Sequence, residues 1–379
     1  MTAMDSRARS AIRGLTTYTP GTPIEEVQRR WKLASVIKLA SNENALGPSP
    51  KAVNAIRSAL DALHRYPDGT CRLLRERLAK RLRVEPSSLL FGNGSDELIV
   101  LALRAFVDPG DNVVVARPTF LMYELQSKAC GASVTVVPLK RLRYDLPAMA
   151  AAVTRRTKLV FIANPDNPTG TYVTRRELEA FLNNVPGDPI VFLDEAYYEF
   201  VSARDYPKSL GYMADRPVII TRTFSKAYGL AGLRVGYGIA QPSLIAAMEA
   251  VREPFNVNSL AQAAAAAALD DTAFLTKTRR VTEQGRAFVT AQLQQLRVRY
   301  VPSATNFILV EIGPRAPQIA QALLRQGVIV REMSGWTLSG YIRVTLGTMP
   351  ENRRLMQALK KCLTRSQPSG GNYDHRPQA

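Results

Sequence analysis

The feature that most constrains the fold is a series of short, almost wholly apolar segments that alternate with helical patterns. The apolar segments predict strands at Ser88–Phe91, Asn112–Ala116, Ser133–Pro138, Lys158–Ala163, Pro189–Leu193, Pro217–Thr221 and Arg234–Ile239. Helical patterns lie between several of them, at Asp96–Phe106, Arg175–Leu182 and Ser243–Arg252. Strands that are apolar at nearly every position are typical of parallel sheets covered by helices on both faces. The sequence therefore predicts an α/β fold with a mostly parallel seven-stranded sheet, and a ligand site at the carboxyl ends of its strands.

The C-terminal part of the chain has a different pattern and predicts a second, smaller α+β domain. Its predicted elements are a helix at Thr276–Leu296, strands at Asn306–Glu311, Val328–Arg331 and Tyr341–Leu346, and helices at Ala316–Arg325 and Glu351–Leu363. We therefore expect an N-terminal arm (1–45) that packs with the small domain, a large domain (46–280), the small domain (281–364) and a tail (365–379). The polar composition of the tail predicts disorder.

The composition of the 379-residue chain argues against several classes of function. Of its two histidines, His375 lies in the polar tail, so a serine or cysteine nucleophile would have to use His64. Histidine-rich metal sites are excluded, and we expect no metal. There is no secretory signal, no apolar run near the roughly 18 residues that cross a bilayer, and no metal-ligand spacing among the three cysteines. These features predict a cytoplasmic protein without a membrane partner.

The net charge of +18 raises the alternative of a nucleic-acid-binding protein. The lysines and arginines are, however, spread along the chain, and no recognised nucleic-acid module occurs. A basic face that attracts a small anionic substrate explains the charge equally well. We therefore expect no nucleic-acid partner, while a second role for the charge stays open.

A glycine-rich turn between a strand and a helix predicts an anion site. The segment reads FGNGSD, and Ser95 or Asp96 can cap the helix that follows. Backbone amides and the helix dipole at such a turn suit a phosphate group. Capped turns of this kind are common, so the turn alone favours a phosphate site no more than a structural role.

Two further strand ends carry polar residues. The loop NPDNPTG follows the strand KLVFIA, and its prolines and glycine stiffen it around Asn167. Asp194 ends the strand PIVFL, where a carboxylate needs a partner because burial of an unpaired charge is costly. That partner is either a protonated heterocyclic nitrogen or one of the many arginines.

The stretch TRTFSKAYGLAGLRVGY places Lys226 after an apolar strand and Arg234 eight residues further on. If Lys226 is buried near an anion site, its ammonium form is disfavoured and its amine becomes a usable nucleophile. Taken alone, a solvated surface lysine is the simpler interpretation. The histidine-poor composition favours a cofactor that supplies the electronic part of the chemistry.

These motifs together resemble the pyridoxal-phosphate aminotransferases of the aspartate aminotransferase-like fold. The resemblance runs from about Tyr18 to Leu363 and rests on NPTG, DEAY and the SK…LRVGY stretch. The segments KLASNENALGPSP, RYPD, GNGSDELI and YIRVTLGT resemble most closely the histidinol-phosphate aminotransferase branch.

The resemblance implies pyridoxal 5'-phosphate as cofactor and three catalytic residues: Lys226 binds the cofactor covalently and moves the proton, Asp194 pairs with the ring nitrogen, and Tyr197 contacts the phenolic oxygen. It implies a wider set of cofactor-binding residues, namely Ser95, Asp96, Phe120, Asn167, Asp194, Tyr197, Thr223, Ser225, Lys226, Arg234 and Tyr66. Tyr66 would reach the cofactor phosphate of a neighbouring subunit, which implies a homodimer. Phe120 stands where relatives often have tyrosine, so stacking on the ring is kept and a hydroxyl is lost.

The substrate-binding residues implied by the resemblance are Tyr18, Asn306, Arg331 and Arg343. In the strand Tyr341–Leu346, Arg343 lies on the face opposite to Ile342 and Val344, so it points away from the small domain's core. A guanidinium there can bind an α-carboxylate bidentately. Arg331 is the candidate for the substrate phosphate, and Tyr18 for closing the pocket.

The reaction implied is transamination between histidinol phosphate and 2-oxoglutarate, which gives imidazole acetol phosphate and glutamate in histidine biosynthesis. An aromatic amino acid aminotransferase is the nearest alternative, because the same pocket in close relatives accepts phenylalanine or tyrosine. A lyase resembling threonine-phosphate decarboxylase is a further alternative, since it shares the constellation around Lys226. A basic nucleic-acid-binding protein is the non-enzymatic alternative.

Overall fold

A computed structural model describes residues 7–15 and 21–364. The strands are β1 Ile37–Lys38, β2 Leu89–Gly92, β3 Asn112–Arg117, β4 Ser133–Pro138, β5 Thr157–Ala163, β6 Ile190–Asp194, β7 Val218–Thr223, β8 Gly236–Ile239, β9 Tyr300–Val301, β10 Phe307–Glu311, β11 Val328–Ile329, β12 Arg331–Glu332 and β13 Tyr341–Thr345. The helices are α1 Ile24–Trp31, α2 Pro50–Ala59, α3 Arg72–Leu82, α4 Ser95–Phe106, α5 Leu121–Cys130, α6 Leu146–Ala151, α7 Arg175–Asn184, α8 Pro242–Ala250, α9 Ser259–Leu269, α10 Thr272–Gln295, α11 Ala316–Arg325 and α12 Met349–Thr364.

The seven predicted apolar segments form one sheet, in the order β2-β8-β7-β6-β5-β3-β4. Neighbours from β4 to β7 run parallel, and only β8 runs in the opposite direction. Apolar residues of these strands and of the covering helices form the main core. The carboxyl ends of β2, β3, β5, β6 and β7 therefore meet at one edge of the sheet, as predicted for the ligand site.

The C-terminal residues build two small sheets. β12, β13, β10 and β9 form a four-stranded antiparallel sheet, while β1 pairs in parallel with β11. The predicted single strand Val328–Arg331 is wrong, because the chain changes sheets at Val330. A second core combines Leu39 with apolar residues between Val289 and Cys362.

The predicted domain boundaries stay a prediction, and α10 runs without a break across residue 280. The predicted tail, 365–379, lies outside the described residues. Within 7–15 and 21–364, no helix combines the length and apolar character that crossing a membrane requires.

Candidate active site

A cavity of about 250 Å³ opens at the carboxyl edge of the large sheet. Its wall comes from turns that follow β2, β3, β5, β6 and β7. The lining residues are Ser95, Asp96, Phe120, Met122, Tyr123, Ala163, Pro165, Asn167, Asp194, Ala196, Tyr197, Thr223, Ser225, Lys226 and Arg234. The structure thus brings together ten of the eleven predicted cofactor-binding residues, from segments as far apart in sequence as Ser95 and Arg234.

Lys226 follows β7 and extends a partly buried side chain into this cavity. Its Nζ donates a weak hydrogen bond to the Ser41 carbonyl oxygen at 3.4 Å and lies 5.8 Å from the centre of the Tyr197 ring. Burial, reinforced by the positive charge of Arg343, lowers the pKa of the Lys226 amine from 10.5 to about 8. The structure favours a reactive amine here over a solvated surface lysine.

The lowered pKa predicts when Lys226 reacts with an amine-directed reagent. Burial disfavours the charged form, so the neutral amine predominates above about pH 8, and roughly one side chain in ten is neutral at pH 7. We expect brief acetylation of the cofactor-free protein, followed by peptide mass spectrometry, to label Lys226 with a midpoint near pH 8. N-acetyl-lysine methyl ester in the same tube gives the reference midpoint, near 10.4. Coincident profiles for the two amines would contradict the prediction.

Asp194 is the last residue of β6, and its carboxylate is buried in the cavity wall. Oδ2 accepts a hydrogen bond from the Tyr123 hydroxyl at 2.6 Å, and Oδ1 accepts from Thr221 at 3.3 Å and from the Ala196 amide at 3.1 Å. Burial raises the pKa of Asp194 to about 6. No arginine pairs with it among the described residues. Its carboxylate lines the cavity, where it can pair with a protonated ring nitrogen. This is the first of the two partners that the sequence left possible.

Tyr123 is a site residue that the motifs missed. Its side chain is fully buried and stacks on Phe161, with ring centroids 4.9 Å apart and planes 10° from parallel. Burial raises the pKa of its hydroxyl well above the ordinary value, so the hydroxyl stays protonated as a donor to Asp194. The only sequence signal was the spacing of three residues between Tyr123 and Phe120, the residue that directly precedes α5.

The arginine that pairs near this strand end lies on the opposite face of the sheet. Arg222 contacts Glu195 with Nη2 2.8 Å from Oε2, and both side chains are almost fully buried. Successive residues of a strand point to opposite faces, so Thr221 and Thr223 face the cavity while Arg222 faces away. This ion pair ties the end of β6 to β7 from behind.

The predicted anion turn contributes Ser95 and Asp96 to the wall of the cavity. Gly94 has φ +81°, and a side chain there would meet Arg234, whose Nη2 lies 2.5 Å from the position of the missing Cβ. Arg234 Nη1 donates to the Ser225 hydroxyl at 3.3 Å, and Nη2 lies 3.4 Å from Asp96. The N-terminus of α4, the guanidinium of Arg234 and the hydroxyl of Ser225 thus line the same part of the cavity. Such a space is complementary to a phosphate group.

The loop after β5 is fixed by a buried carboxylate, Asp166, which is not among the predicted site residues. Asp166 accepts hydrogen bonds from the Thr119 hydroxyl at 2.6 Å and from the Thr169 hydroxyl at 2.8 Å. Thr119 precedes Phe120, so one carboxylate ties together the two loops that present Phe120 and Asn167. Burial raises the pKa of Asp166 to about 6.

Tyr197 and Arg343 connect this cavity to the N-terminal segment and the small sheet. The Tyr197 hydroxyl accepts a hydrogen bond from Asn42 at 2.9 Å, and burial raises its pKa to about 12. Arg343 donates to the Asn167 side-chain oxygen and, at 2.9 Å, to the Ala40 carbonyl. Asn42 is a second missed residue, which lies in the segment SNEN and has φ +57°.

The other predicted substrate residues lie nearby or outside the described range. Asn306 donates to the Asn42 carbonyl at 3.0 Å. It therefore helps to hold Asn42, which in turn donates to the Tyr197 hydroxyl. Arg331 is the cross-strand partner of Arg343 on β12 and β13. Tyr18 lies outside the described residues.

Tyr66 does not line the cavity of its own chain. It is 83% exposed and stacks on Phe255, with ring centroids 4.8 Å apart.

The residues present fit pyridoxal phosphate, on two observations of this structure. The anion turn can form only with glycine at two positions: a Cβ on Gly94 would lie 2.5 Å from Arg234 Nη2, and a Cβ on Gly236 would lie 2.5 Å from the Ser95 amide nitrogen. The buried Asp194 is aimed into the same cavity as the amine of Lys226. By contrast, the described residues contain no cluster of three histidine, cysteine or carboxylate side chains that could hold a metal ion.

Known proteins resemble the chain over nearly its whole length. A model of the aminotransferase class I and II family matches residues 34–359. A histidinol-phosphate aminotransferase of Moorella thermoacetica is 49% identical over 359 residues, which cover 94% of this chain and 93% of that protein.

Solved structures show the same fold. Histidinol-phosphate aminotransferase from Sinorhizobium meliloti, in complex with pyridoxal-5'-phosphate, matches with a TM-score of 0.87 and 30% identity, covering 96% of this chain and 100% of that one. A double mutant of Thermus thermophilus aspartate aminotransferase matches with a TM-score of 0.80 and 25% identity, covering 93% and 99%. The predicted fold class is confirmed, and the chain belongs to the class I and II aminotransferases.

Proposed function

We propose that this chain is a pyridoxal-phosphate-dependent histidinol-phosphate aminotransferase of histidine biosynthesis. It transfers the amino group of histidinol phosphate to 2-oxoglutarate, giving imidazole acetol phosphate and glutamate. The observation that carries the proposal is one cavity that holds an amine of lowered pKa, a buried carboxylate and a phosphate-sized cradle. The substrate follows from the relatives, which are named for it at 46–49% identity.

The cofactor, when bound, supplies an electron-accepting ring that stabilises negative charge at the carbon bearing the amino group. The chain's residues supply binding and proton transfer. Arg234, Ser225, Thr223 and the α4 N-terminus at Ser95 and Asp96 hold the phosphate, for Asp96 through its backbone amide.

The catalytic side chains then have distinct tasks. Asp194, oriented by Tyr123, would pair with the protonated ring nitrogen and so keep it charged. The Tyr197 hydroxyl and the Asn167 amide would bind the phenolic oxygen, and the Phe120 ring would pack against the cofactor ring. The Nζ of Lys226 removes the proton from the substrate carbon and returns it one bond away. Its pKa near 8 suits this task, because a base works best when its pKa lies near the working pH.

The substrate end of the site is formed by two arginines that face one side of the small sheet. Arg343 and Arg331 are direct cross-strand partners, so their side chains leave the sheet on the same face. Arg343 binds the carboxylate of 2-oxoglutarate or glutamate bidentately. In histidinol phosphate a phosphate ester takes the place of the α-carboxylate. Arg331 adds a second guanidinium for the additional negative charge of that phosphate. On this proposal Tyr18 closes the pocket, and Asn306 supports it through Asn42.

The proposed assembly is a homodimer in the cytoplasm. Tyr66 would bind the cofactor phosphate of the other subunit, which explains why this aromatic side chain is 83% exposed in a single chain. Other exposed apolar side chains are Leu60, Leu63 and Leu73, which are near Tyr66 in the sequence, and Phe255, which stacks on Tyr66. The three cysteines, all free in the structure, suit a reducing compartment.

The test is turnover of histidinol phosphate with 2-oxoglutarate, compared with phenylalanine and tyrosine as amino donors. We expect a higher kcat/KM for histidinol phosphate than for either aromatic amino acid. Much better turnover of phenylalanine would assign the chain to the aromatic aminotransferases. Release of carbon dioxide from threonine phosphate, without amino transfer, would favour the lyase.

Arg331→Ala is expected to weaken the use of histidinol phosphate far more than that of phenylalanine. A charge-assisted hydrogen bond contributes about 1.5–3 kcal/mol, so kcat/KM for histidinol phosphate should fall roughly 10- to 150-fold. Phenylalanine has no phosphate and should lose little. Arg325→Ala, an exposed arginine in the last turn of α11, is the matched control for lost positive charge. Equal losses for both donors would remove the role assigned to Arg331.

A further inference from the structure

The ring of Trp336 lies against the guanidinium of Arg331. The distance from the guanidinium carbon to the ring centroid is 4.8 Å, which is within the range of a cation–π contact. Neither the family motifs nor the catalytic chemistry assigns any task to Trp336. Arg331 is the arginine that we place on the substrate phosphate. A side chain that contacts Arg331 can therefore affect which substrate binds.

The Trp336 ring is held rigidly in this position. Glu332 accepts hydrogen bonds from the Ser334 amide at 2.9 Å and the Ser334 hydroxyl at 2.6 Å, which fixes the turn leading from β12 to Trp336. The indole is only 4% exposed and packs in a cluster with Leu309, Met333 and Leu338. A side chain buried in this way loses little further freedom when substrate binds.

The Trp336 cluster also touches the large domain. Leu121 and Leu142 pack against it as partly buried side chains. Leu121 begins α5 and directly follows Phe120, which lines the cavity. The ring therefore has a fixed position relative to the cavity as well as to its own sheet.

Arg331 needs such a support for two physical reasons. Its cross-strand partner is another arginine, Arg343, and two like charges directly opposite each other repel. An arginine side chain also has several rotatable bonds, whose freedom is lost when it binds an anion. An aromatic face offsets part of the repulsion and restricts the guanidinium before the substrate arrives.

The supported guanidinium lies close to the N-terminal segment that contacts Lys226. A Cβ on Gly21 would be 3.7 Å from Arg331 Nη1 and 3.6 Å from the Ser41 hydroxyl oxygen. The Ser41 carbonyl is the acceptor for the amine of Lys226. Gly21 thus lies between the arginine and the segment that contacts the catalytic lysine.

We propose that Trp336 is a specificity-determining positioning residue, which stacks under Arg331 and holds its guanidinium for the phosphate of the amino donor. The inference rests on the proposed function, in which Arg331 binds that phosphate. In this role Trp336 acts through Arg331 and does not itself contact substrate or cofactor. Its signature is a selective rise in KM for a phosphorylated donor, with kcat and the use of a donor without phosphate retained.

The experiment compares the holoenzyme variants Trp336→Leu and Trp336→Phe with the parent, using histidinol phosphate and phenylalanine as donors. Loss of a cation–π contact predicts a rise in KM for histidinol phosphate of roughly 2- to 30-fold in Trp336→Leu, and a smaller rise in Trp336→Phe. We expect kcat for histidinol phosphate, and kcat/KM for phenylalanine, to stay within about twofold of the parent. The phenylalanine variant keeps an aromatic face and most of the packing, so it remains informative if the leucine variant folds poorly.

Trp31 provides a matched control. It is the only other tryptophan, and its ring also lies 4.8 Å from an arginine carbon, that of Arg30. Trp31→Leu removes an equivalent contact on α1, where no substrate group is expected, and should leave both donors unaffected. A loss in Trp31→Leu equal to that in Trp336→Leu would overturn the proposal, since the effect would then be a general one.

The double variant Arg331→Ala/Trp336→Leu separates this proposal from the proposed function. If Trp336 acts through Arg331, the double variant should be no worse with histidinol phosphate than Arg331→Ala alone. Additive losses would overturn the positioning role while Arg331 kept its own. If Arg331→Ala lost activity only with histidinol phosphate while Trp336→Leu showed no such donor-specific loss, the positioning role would be rejected and the proposed function would stand. Equal loss of both donors in Arg331→Ala would reject both roles.

Discussion

Lys226→Ala is expected to lower the rate of amino-group transfer by on the order of 10⁴-fold, the upper range for removal of a general base. Among the described residues that line the cavity, Lys226 is the only lysine, and no other side chain offers an amine. The measurement is single-turnover conversion of histidinol phosphate, followed by cofactor absorbance. In the parent, borohydride treatment should remove the yellow colour and fix the cofactor mass on the peptide that contains Lys226.

The control for this variant is Lys208→Ala, which removes an exposed lysine from the same part of the chain. It should retain parental rates and cofactor content. Lys226→Arg tests whether charge alone suffices: a guanidinium stays protonated and cannot remove a proton, so this variant should be as inactive as Lys226→Ala. Parental activity in Lys226→Ala, or a cofactor fixed elsewhere in the chain, would refute the assignment.

Asp194→Asn is expected to lower kcat/KM by roughly 150- to 4,000-fold, since removing one partner of a buried charge pair costs about 3–5 kcal/mol. The amide preserves the shape of the carboxylate and cannot neutralise a protonated ring nitrogen. The losses should appear with histidinol phosphate and with glutamate, because both use the same ring. Cofactor affinity, measured by titration of the cofactor-free protein, should fall as well.

Tyr123→Phe is the matched comparison for Asp194→Asn. It removes the 2.6 Å hydrogen bond to Asp194 and leaves the carboxylate and the stacking on Phe161 in place. We expect a loss of about 10-fold, in keeping with one hydrogen bond to a charged group. If the two variants were equally impaired, the charge of Asp194 would matter less than its orientation.

Much of the fold was predictable because its signals are local. The strand Ser133–Pro138 and the helix Ala316–Arg325 have the same bounds in the sequence prediction and in the structure. Each of these elements is specified by its own apolar periodicity and end signals. Val328–Arg331 failed because an uninterrupted apolar run does not show that its two halves pair with different strands, β1 and β13.

Site residues that belong to a sequence motif were predictable. Residues whose role depends on a hydrogen bond to a distant part of the chain were not. Asn167, Asp194, Lys226 and Arg234 were all found from strand ends and turns, and they line one cavity. Tyr123 and Asn42 were missed, although each donates a hydrogen bond to a side chain that lines the cavity. Asp166 was missed as well, although it accepts a hydrogen bond from Thr119, the neighbour of Phe120. Their partners are 71, 155 and 47 residues away, beyond the reach of any local pattern.

The sequence by itself determined the alternation of strands and helices, the order of the strand-end motifs and the family to which they belong. These are properties of neighbouring residues, whose backbone preferences and hydrophobic periods act within a few residues of each other. Only the tertiary structure decided that Lys226 is partly buried and near Arg343, which lowers its pKa to about 8. Likewise it decided that Asp194 is held by Tyr123 and that Trp336 stacks under Arg331. Burial and charge are set by whatever atoms surround a group in space, and those atoms come from parts of the chain that no local pattern connects.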